Sequence, residues 1–336
     1  QWNLGLDLGF FHDRINLVVD MCDKTANDML MQLQLPSYFG SRGNANSALT
    51  APMGNYGTIN NKGLEISLNT RNFTGDFTWD TDFQISFNKN KLVALSGTDA
   101  SGIEGYGQWS DVVSLSSIGG PLYEFYGYIA DGVYKDKQDI EEHLWGEIPE
   151  NGYDRYATVF VGDIKYRDIS GPEGKPDGKI NTYDRTNIGS PLPKFTYGLT
   201  NTFSYKNFDL TLFMQGSYGN KVFNALSRDL TGMGYWNNQL KKAMDYANLI
   251  PIDTDKQYPV QNPYNPEAMI NNWFEDIDNV TLSNPDTKMS RAGKSLPYNN
   301  QRISTRYIED GSYLRVKNIV LGYTLPQRML RKVQID

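Results

Sequence analysis

The side chains best suited to hold a hard cation are Asp168, Asp177 and Asp184, in the segment Asp168-Ile169-Ser170-Gly171 … Asp177-Gly178-Lys179-Ile180-Asn181-Thr182-Tyr183-Asp184. Calcium takes several oxygens, and a D-x-N-x-D-G-x-I pattern gathers carboxylates and a carbonyl around a turn that glycine permits. Here Ser170 stands at the third position in place of Asn, and Pro172 to Pro176 separate Gly171 from Asp177. The insertion departs from EF-hand spacing. Two readings follow: calcium in the 168–184 loop, or an acidic, solvated turn held by glycine and proline. A second group is aromatic: Tyr106, Trp109, Tyr123, Tyr126, Trp145, Tyr235, Trp236 and Trp273. Ring faces stack on sugars, and neighbouring Asn, Asp and Arg side chains bond hydroxyls, so these are candidate substrate contacts. The competing reading of each ring is an interface girdle or a loop-packing residue.

Bond-making chemistry finds little support. The chain holds one cysteine, Cys22, and two histidines, His12 and His143, too few for a disulfide framework, a zinc ribbon or a histidine-rich redox site. His143 sits in Glu141-Glu142-His143-Leu144, which lacks the H-E-x-x-H spacing for zinc and reads as a surface helix residue. Glu104 and Asp111 flank Trp109, but a glycosidase needs two carboxylates held at a set separation, which spacing in the chain does not supply. Phosphate-loop, dinucleotide and nucleophile-elbow motifs are all missing. The expectation is a protein that is not an enzyme and requires no cofactor. With 39 acidic against 32 basic residues the net charge is −7, and no basic cluster offsets it, so nucleic acid is not an expected partner.

The elements that position these residues read as long strands. Trp2, Leu4, Leu6, Leu8 and Phe10 alternate with Asn3, Gly5, Asp7 and Gly9, and Ile15, Leu17, Val19 and Met21 continue the pattern after a short turn. Leu64, Ile66 and Leu68 open a third strand, and Phe77 to Asn88 returns from the turn at Asn72–Asp76. Phe195–Tyr205 and Phe208–Met214 form a hairpin over Lys206-Asn207, and Tyr313–Leu325 is the last strand. Leu122–Tyr134 is a weaker candidate. Short turns alternate with loops of dozens of residues at 32–55, 135–192 and 218–304, which compact soluble domains rarely use. In these loops Trp236–Ile250 reads as an amphipathic helix and Lys137–Trp145 as a shorter acidic one. Arms of about ten residues with one apolar face, short turns on one side, long loops on the other and 13% aromatic residues predict an all-β, transmembrane antiparallel β-barrel wall. A soluble β-sandwich or propeller, carbohydrate-binding or structural, alternates for the same geometric reason.

Four segments in order carry a family resemblance. Gly54-Asn55-Tyr56-Gly57-Thr58-Ile59-Asn60-Asn61-Lys62-Gly63-Leu64-Glu65 resembles the N-x-G-x-x-x-N-K-G-x-E stretch of the SusC/RagA family, the TonB-linked outer-membrane transporters of Bacteroidetes. Tyr128-Ile129-Ala130-Asp131-Gly132-Val133-Tyr134 resembles its GYxxDGVY segment. Gly162-Asp163-Ile164-Lys165-Tyr166 with Asp184-Arg185-Thr186-Asn187-Ile188-Gly189 resembles its GDIKYxD…DRTxIG segment. Asp310 to Ile319 with Leu321-Gly322-Tyr323-Thr324-Leu325-Pro326 resembles DGSYLRLKNxxLGYxLP. The resemblance implies that 1–336 is the later part of a barrel of about 22 strands, with the plug domain, TonB box and final closing strands outside this chain. It further implies import of oligosaccharides or peptides across the outer membrane. The implied partners are a SusD-like surface lipoprotein, TonB acting through the N-terminal part, and outer-membrane lipid. In the family the acidic loop often has the compact form DLNGDGxIxxxD, from which the insertion here departs.

Overall fold

A computed structural model describes residues 1–32, 53–95, 102–107, 111–232, 238–262, 265–293 and 300–326. Seven strands form one sheet: β1 (Trp2–Phe10), β2 (Ile15–Gln32), β3 (Met53–Thr74), β4 (Phe77–Leu95), β5 (Phe195–Tyr205), β6 (Phe208–Tyr218) and β7 (Tyr313–Tyr323). Each pairs antiparallel with the next in chain order, and among the described residues the sheet does not close.

The register turns seven alternating sequences into two continuous faces. One cross-strand row runs Leu8, Leu17, Leu68, Phe83, Leu199, Met214, Val316. The adjacent row runs Asp7, Val18, Ser67, Gln84, Gly198, Gln215, Arg315. A one-residue slip anywhere would mix the rows, so the apolar parity itself specifies the pairing. Among the described residues no second layer covers the apolar face: Leu4 is 62%, Ile319 66% and Leu321 71% exposed. A β-sandwich buries that face against a partner sheet, and this sheet presents it outward, as a barrel wall in lipid does. No helix among the described residues is long and apolar enough to cross a membrane.

Aromatic residues bound the apolar band at both ends. At the short-turn end Phe73 lies 6.0 Å from Phe77 and 5.8 Å from Trp79, and Trp79 is 5.7 Å from Phe203. Phe208 and Tyr323 extend this row at 4.6 Å. At the long-loop end Phe195 gathers Phe87, Tyr197 and Tyr218 within 6.0 Å. Eight residues of β4 separate Trp79 from Phe87. At about 3.4 Å per residue and a tilt of about 40°, the rings are about 21 Å apart in depth, close to the roughly 25 Å apolar band of such barrels. Polar groups on the apolar parity near the short-turn girdle satisfy one another: the Trp79 indole N–H and the Thr81 hydroxyl both donate to Asn201 Oδ1, at 2.8 and 2.7 Å.

The buried core lies beyond the long-loop girdle, because the wall strands bury neither face. Strands β2 to β4 run past the girdle and close a small cluster of Tyr56, Ile59, Leu92 and Leu95, with Met29, Met31, Ile103 and Leu122 against it. A larger core joins Tyr134, Ile140, Leu144, Phe160, Ile164, Tyr166 and Val280, among others, from segments far apart in sequence. Its anchor is ionic. The fully buried Asp163 takes Arg291 Nε at 2.8 Å, Arg291 Nη2 at 3.2 Å, Asn300 Nδ2 at 2.9 Å and the Phe160 N–H at 2.9 Å. Burial pushes the Asp163 carboxyl up, while Arg291, Asn300 and the Phe160 amide pull the other way.

Several expectations change here. The acidic helix is Lys137–His143, capped by Asp136, whose side chain accepts the Asp139 N–H; Trp145 lies outside it. The amphipathic helix over Trp236–Ile250 does not form. Within the described part of that span a 3-10 turn covers Lys241–Asp245 and a short strand covers Leu249–Pro251. Leu240 gives no side-chain cap, and the following backbone is engaged at long range: the Ala247 N–H bonds Ser290 O, and Leu249 pairs with Leu282. Tertiary hydrogen bonds outcompete a helix that lacks a nucleating cap. Leu122–Tyr134 divides into two strands in different sheets, Glu124–Gly127 and Ala130–Val133. His143 is half-buried, not a surface residue: its Nδ1 is 2.9 Å from the Tyr134 hydroxyl, and burial lowers its pKa.

Candidate functional site

The acidic segment folds by handing its carboxylates to backbone amides. Asp184, fully buried, accepts the N–H groups of Ile169 (2.9 Å) and Ser170 (3.2 Å) on Oδ1 and that of Asn181 (2.8 Å) on Oδ2. Asn181 in turn accepts the Tyr183 N–H at 2.8 Å, a reciprocal cap on the 3-10 turn Thr182–Asp184. Asp168 Oδ2 accepts the Gly178 N–H at 2.6 Å and Asp177 Oδ1 that of Lys179 at 3.1 Å. Asp168 Oδ1 is buried without a partner, and burial pushes this carboxyl up. Gly178 has φ +72°, and a Cβ there would lie 2.4 Å from the Gly146 N and 2.7 Å from the Trp145 ring, so only glycine fits.

Among the described residues no group of three or more Asp, Glu, His or Cys side chains is gathered to hold a metal. A calcium loop turns its oxygens on one point; here both Asp184 oxygens, Asp168 Oδ2 and Asp177 Oδ1 meet N–H groups instead, and Asp168 Oδ1 is left without a partner.

What the capped turn does is place Arg185. The side chains of Arg185, Arg228, Arg302, Asp111, Tyr128 and Asn181 line a cavity of about 440 Å³. Its floor is a backbone junction: the Tyr128 N–H bonds Ile303 O at 2.8 Å and the Thr305 N–H bonds Tyr128 O at 3.0 Å. Gly127 permits this approach, since a Cβ would lie 2.3 Å from Ile303 O. The Arg302 guanidinium lies over Tyr128 (5.1 Å) and Tyr166 (5.5 Å), and its Nη1 donates to Ile180 O at 3.0 Å. Arg228 donates Nε to Gln301 O at 2.9 Å and pairs through Nη2 with Asp111 at 2.6 Å. Arg185 lies over Tyr126 at 5.5 Å, with its Nε buried and unpartnered. Three guanidiniums and one carboxylate thus make a cationic pocket in a chain of net charge −7.

The five candidate rings among the described residues do not converge. Of these five, Tyr126 alone adjoins this cavity, through Arg185. Tyr106 and Tyr123 are exposed, the first donating its hydroxyl to Glu104 Oε2. Trp145 is exposed beside Gly178, and Trp273 packs on the loop core, edge-to-face with Phe274. Trp109, Tyr235 and Trp236 lie outside the described residues. Arg185, Arg228 and Arg302 were not singled out by sequence. Arg185 sits in a motif segment, which was its one signal; the other two lie in long loops without local pattern.

No family model matches the chain. Over 339 residues, covering all of it, the chain is 32% identical to TonB-dependent receptor P3 of Formosa agariphila. It is 29% identical over 286 residues, 84% of its length, to TonB-dependent receptor SusC of Bacteroides thetaiotaomicron. It spans 28% and 25% of those two relatives. Among solved structures, the RagAB peptide transporter superposes with a TM-score of 0.65 at 18% identity, over 97% of this chain and 29% of that one. At that identity the likeness establishes the fold.

Proposed function

Because the chain is homologous along its length to part of a TonB-dependent receptor of the SusC/RagA type, we propose that it forms part of the wall and long-loop face of an outer-membrane transporter. The transporter imports oligosaccharides or, less often, peptides, and a SusD-like lipoprotein caps the long loops. The observation that carries this reading is the uncovered apolar face between two aromatic girdles. In lipid such a face is stable and its opposite, polar face lines a hydrated lumen. The loop core then stands on the outer surface, where it meets substrate and lid. Work for import comes from the proton gradient through TonB, and no bond in the substrate is made or broken.

Fractionation tests this. The protein is expected in the outer membrane, extractable only with detergent, migrating differently on gels before and after boiling, and co-purifying with a lipidated surface protein. Its deletion is expected to abolish uptake of a labelled oligosaccharide or peptide. A species soluble without detergent would overturn the barrel reading, and loss of a hydrolytic activity on deletion would move the weight to a secreted glycosidase.

A further inference from the structure

We propose that the cavity between Arg185, Arg228 and Arg302 is a subsite for an oxyanion, a carboxylate or sulfate borne by an oligosaccharide; this deepens the transport reading above and rests on it. Three features support the assignment. The lining carries a cationic excess, three guanidiniums against Asp111. Its guanidiniums are pre-positioned, Arg302 by Tyr128, Tyr166 and the Ile180 carbonyl, Arg185 by Tyr126, so little side-chain freedom remains to be lost on binding. The Arg185 guanidinium lines the cavity with no carboxylate partner among the described residues, so its charge is available for a charge-assisted bond to an oxyanion.

The floor argues for a saccharide over a peptide. An extended peptide needs an open strand edge for its main-chain groups. Glu124–Gly127, the strand that leads into Tyr128, is flanked on both sides, by Thr186–Gly189 and Val112–Ser117, so it has no edge left for one. What the cavity offers instead is guanidinium, the Asn181 amide and the Thr182 hydroxyl, the groups that bond sugar hydroxyls and acidic substituents. Asp111 holds Arg228 until a substrate anion competes for it.

The test is calorimetric binding to the detergent-purified full-length protein. The probes are a uronic-acid tetrasaccharide, a sulfated tetrasaccharide and their neutral counterpart. At least one acidic probe is expected to bind about tenfold or more tighter than the neutral one, with the advantage shrinking as salt rises. Arg185→Gln is expected to erase that advantage, so that acidic and neutral probes bind the variant alike. Asp111→Asn is expected to tighten acidic binding severalfold, a gain that misfolding cannot mimic. The proposal falls if acidic and neutral probes bind alike, if neither acidic probe binds, or if neither substitution alters acidic binding. Arginine-dependent binding of an acidic tetrapeptide in place of the sugars would overturn the substrate class. Uptake by cells, measured separately, divides the two readings: arginine-dependent binding without uptake refutes transport and keeps the subsite, whereas uptake indifferent to Arg185 refutes the subsite and keeps transport.

Discussion

Phe83 and Gln84 are neighbours on β4 that face opposite media. Phe83 lies four residues from Trp79 in one girdle and four from Phe87 in the other. That is about 10 Å of depth either way at about 3.4 Å per residue and about 40° of tilt, hence near the midplane. Its row, Leu68, Phe83 and Leu199, is wholly apolar, whereas Gln84 pairs with Ser67 and Gly198. Phe83→Arg places a charge in hydrocarbon at a cost of about 2–4 kcal/mol, a roughly 30- to 900-fold loss in the folding equilibrium. Gln84→Arg places the same charge in hydrated space and is expected to stay within about 0.5 kcal/mol of wild type. Urea titrations of the protein refolded into phosphatidylcholine vesicles, scored by heat-modifiable migration, read both numbers. Equal costs at the two positions, or a larger cost at Gln84, would refute the assignment of faces and with it the membrane wall.

Removing Asp163 strands the buried Arg291 charge, so Asp163→Leu is expected to destabilise the loop core by about 3–5 kcal/mol, and Asp163→Leu with Arg291→Met to recover most of the loss; limited proteolysis of the loops, with barrel migration as the control, reads both. The His143 pKa is lowered, chiefly by burial, so the unfolded loop binds more protons than the folded one. Loop stability is therefore full above the usual histidine pKa of about 6.5 and falls as pH drops toward the lowered value; thermal melts from pH 8 to 5 should show the decline, and His143→Phe should flatten it. Calcium at millimolar concentration is expected to leave the melting temperature unchanged, because both Asp184 oxygens and one oxygen each of Asp168 and Asp177 already meet N–H groups; a rise of several degrees would show a cation site.

The wall was legible in the sequence because its information is local. A strand has a side-chain period of two, and seven largely alternating stretches can pair in one sheet only by matching apolar parity, as Leu8 through Val316 do, with a bulge in Tyr313–Tyr323 restoring the match between Val316 and Ile319. The short turns at Phe11–Asp13 and Lys206-Asn207 and the girdle rings follow from the same pattern. The loops were not legible, because their order comes from groups distant in the chain. Asp163 is completed by Arg291 and Asn300, residues 241–251 trade a helix for bonds to 280–290, and the cationic cavity unites Asp111, Arg185, Arg228 and Arg302. The carboxylates that suggested calcium are the case between these two. Their residue types were right for a cation, but whether oxygens face a shared point or backbone N–H groups depends on how the Pro172–Pro176 insertion folds back. The sequence alone thus determined a sheet of long antiparallel strands with one apolar face, since a period of two fixes which side chains share a face; the tertiary structure decided that this face stays uncovered and where charges meet, since both rest on contacts with no sequence period.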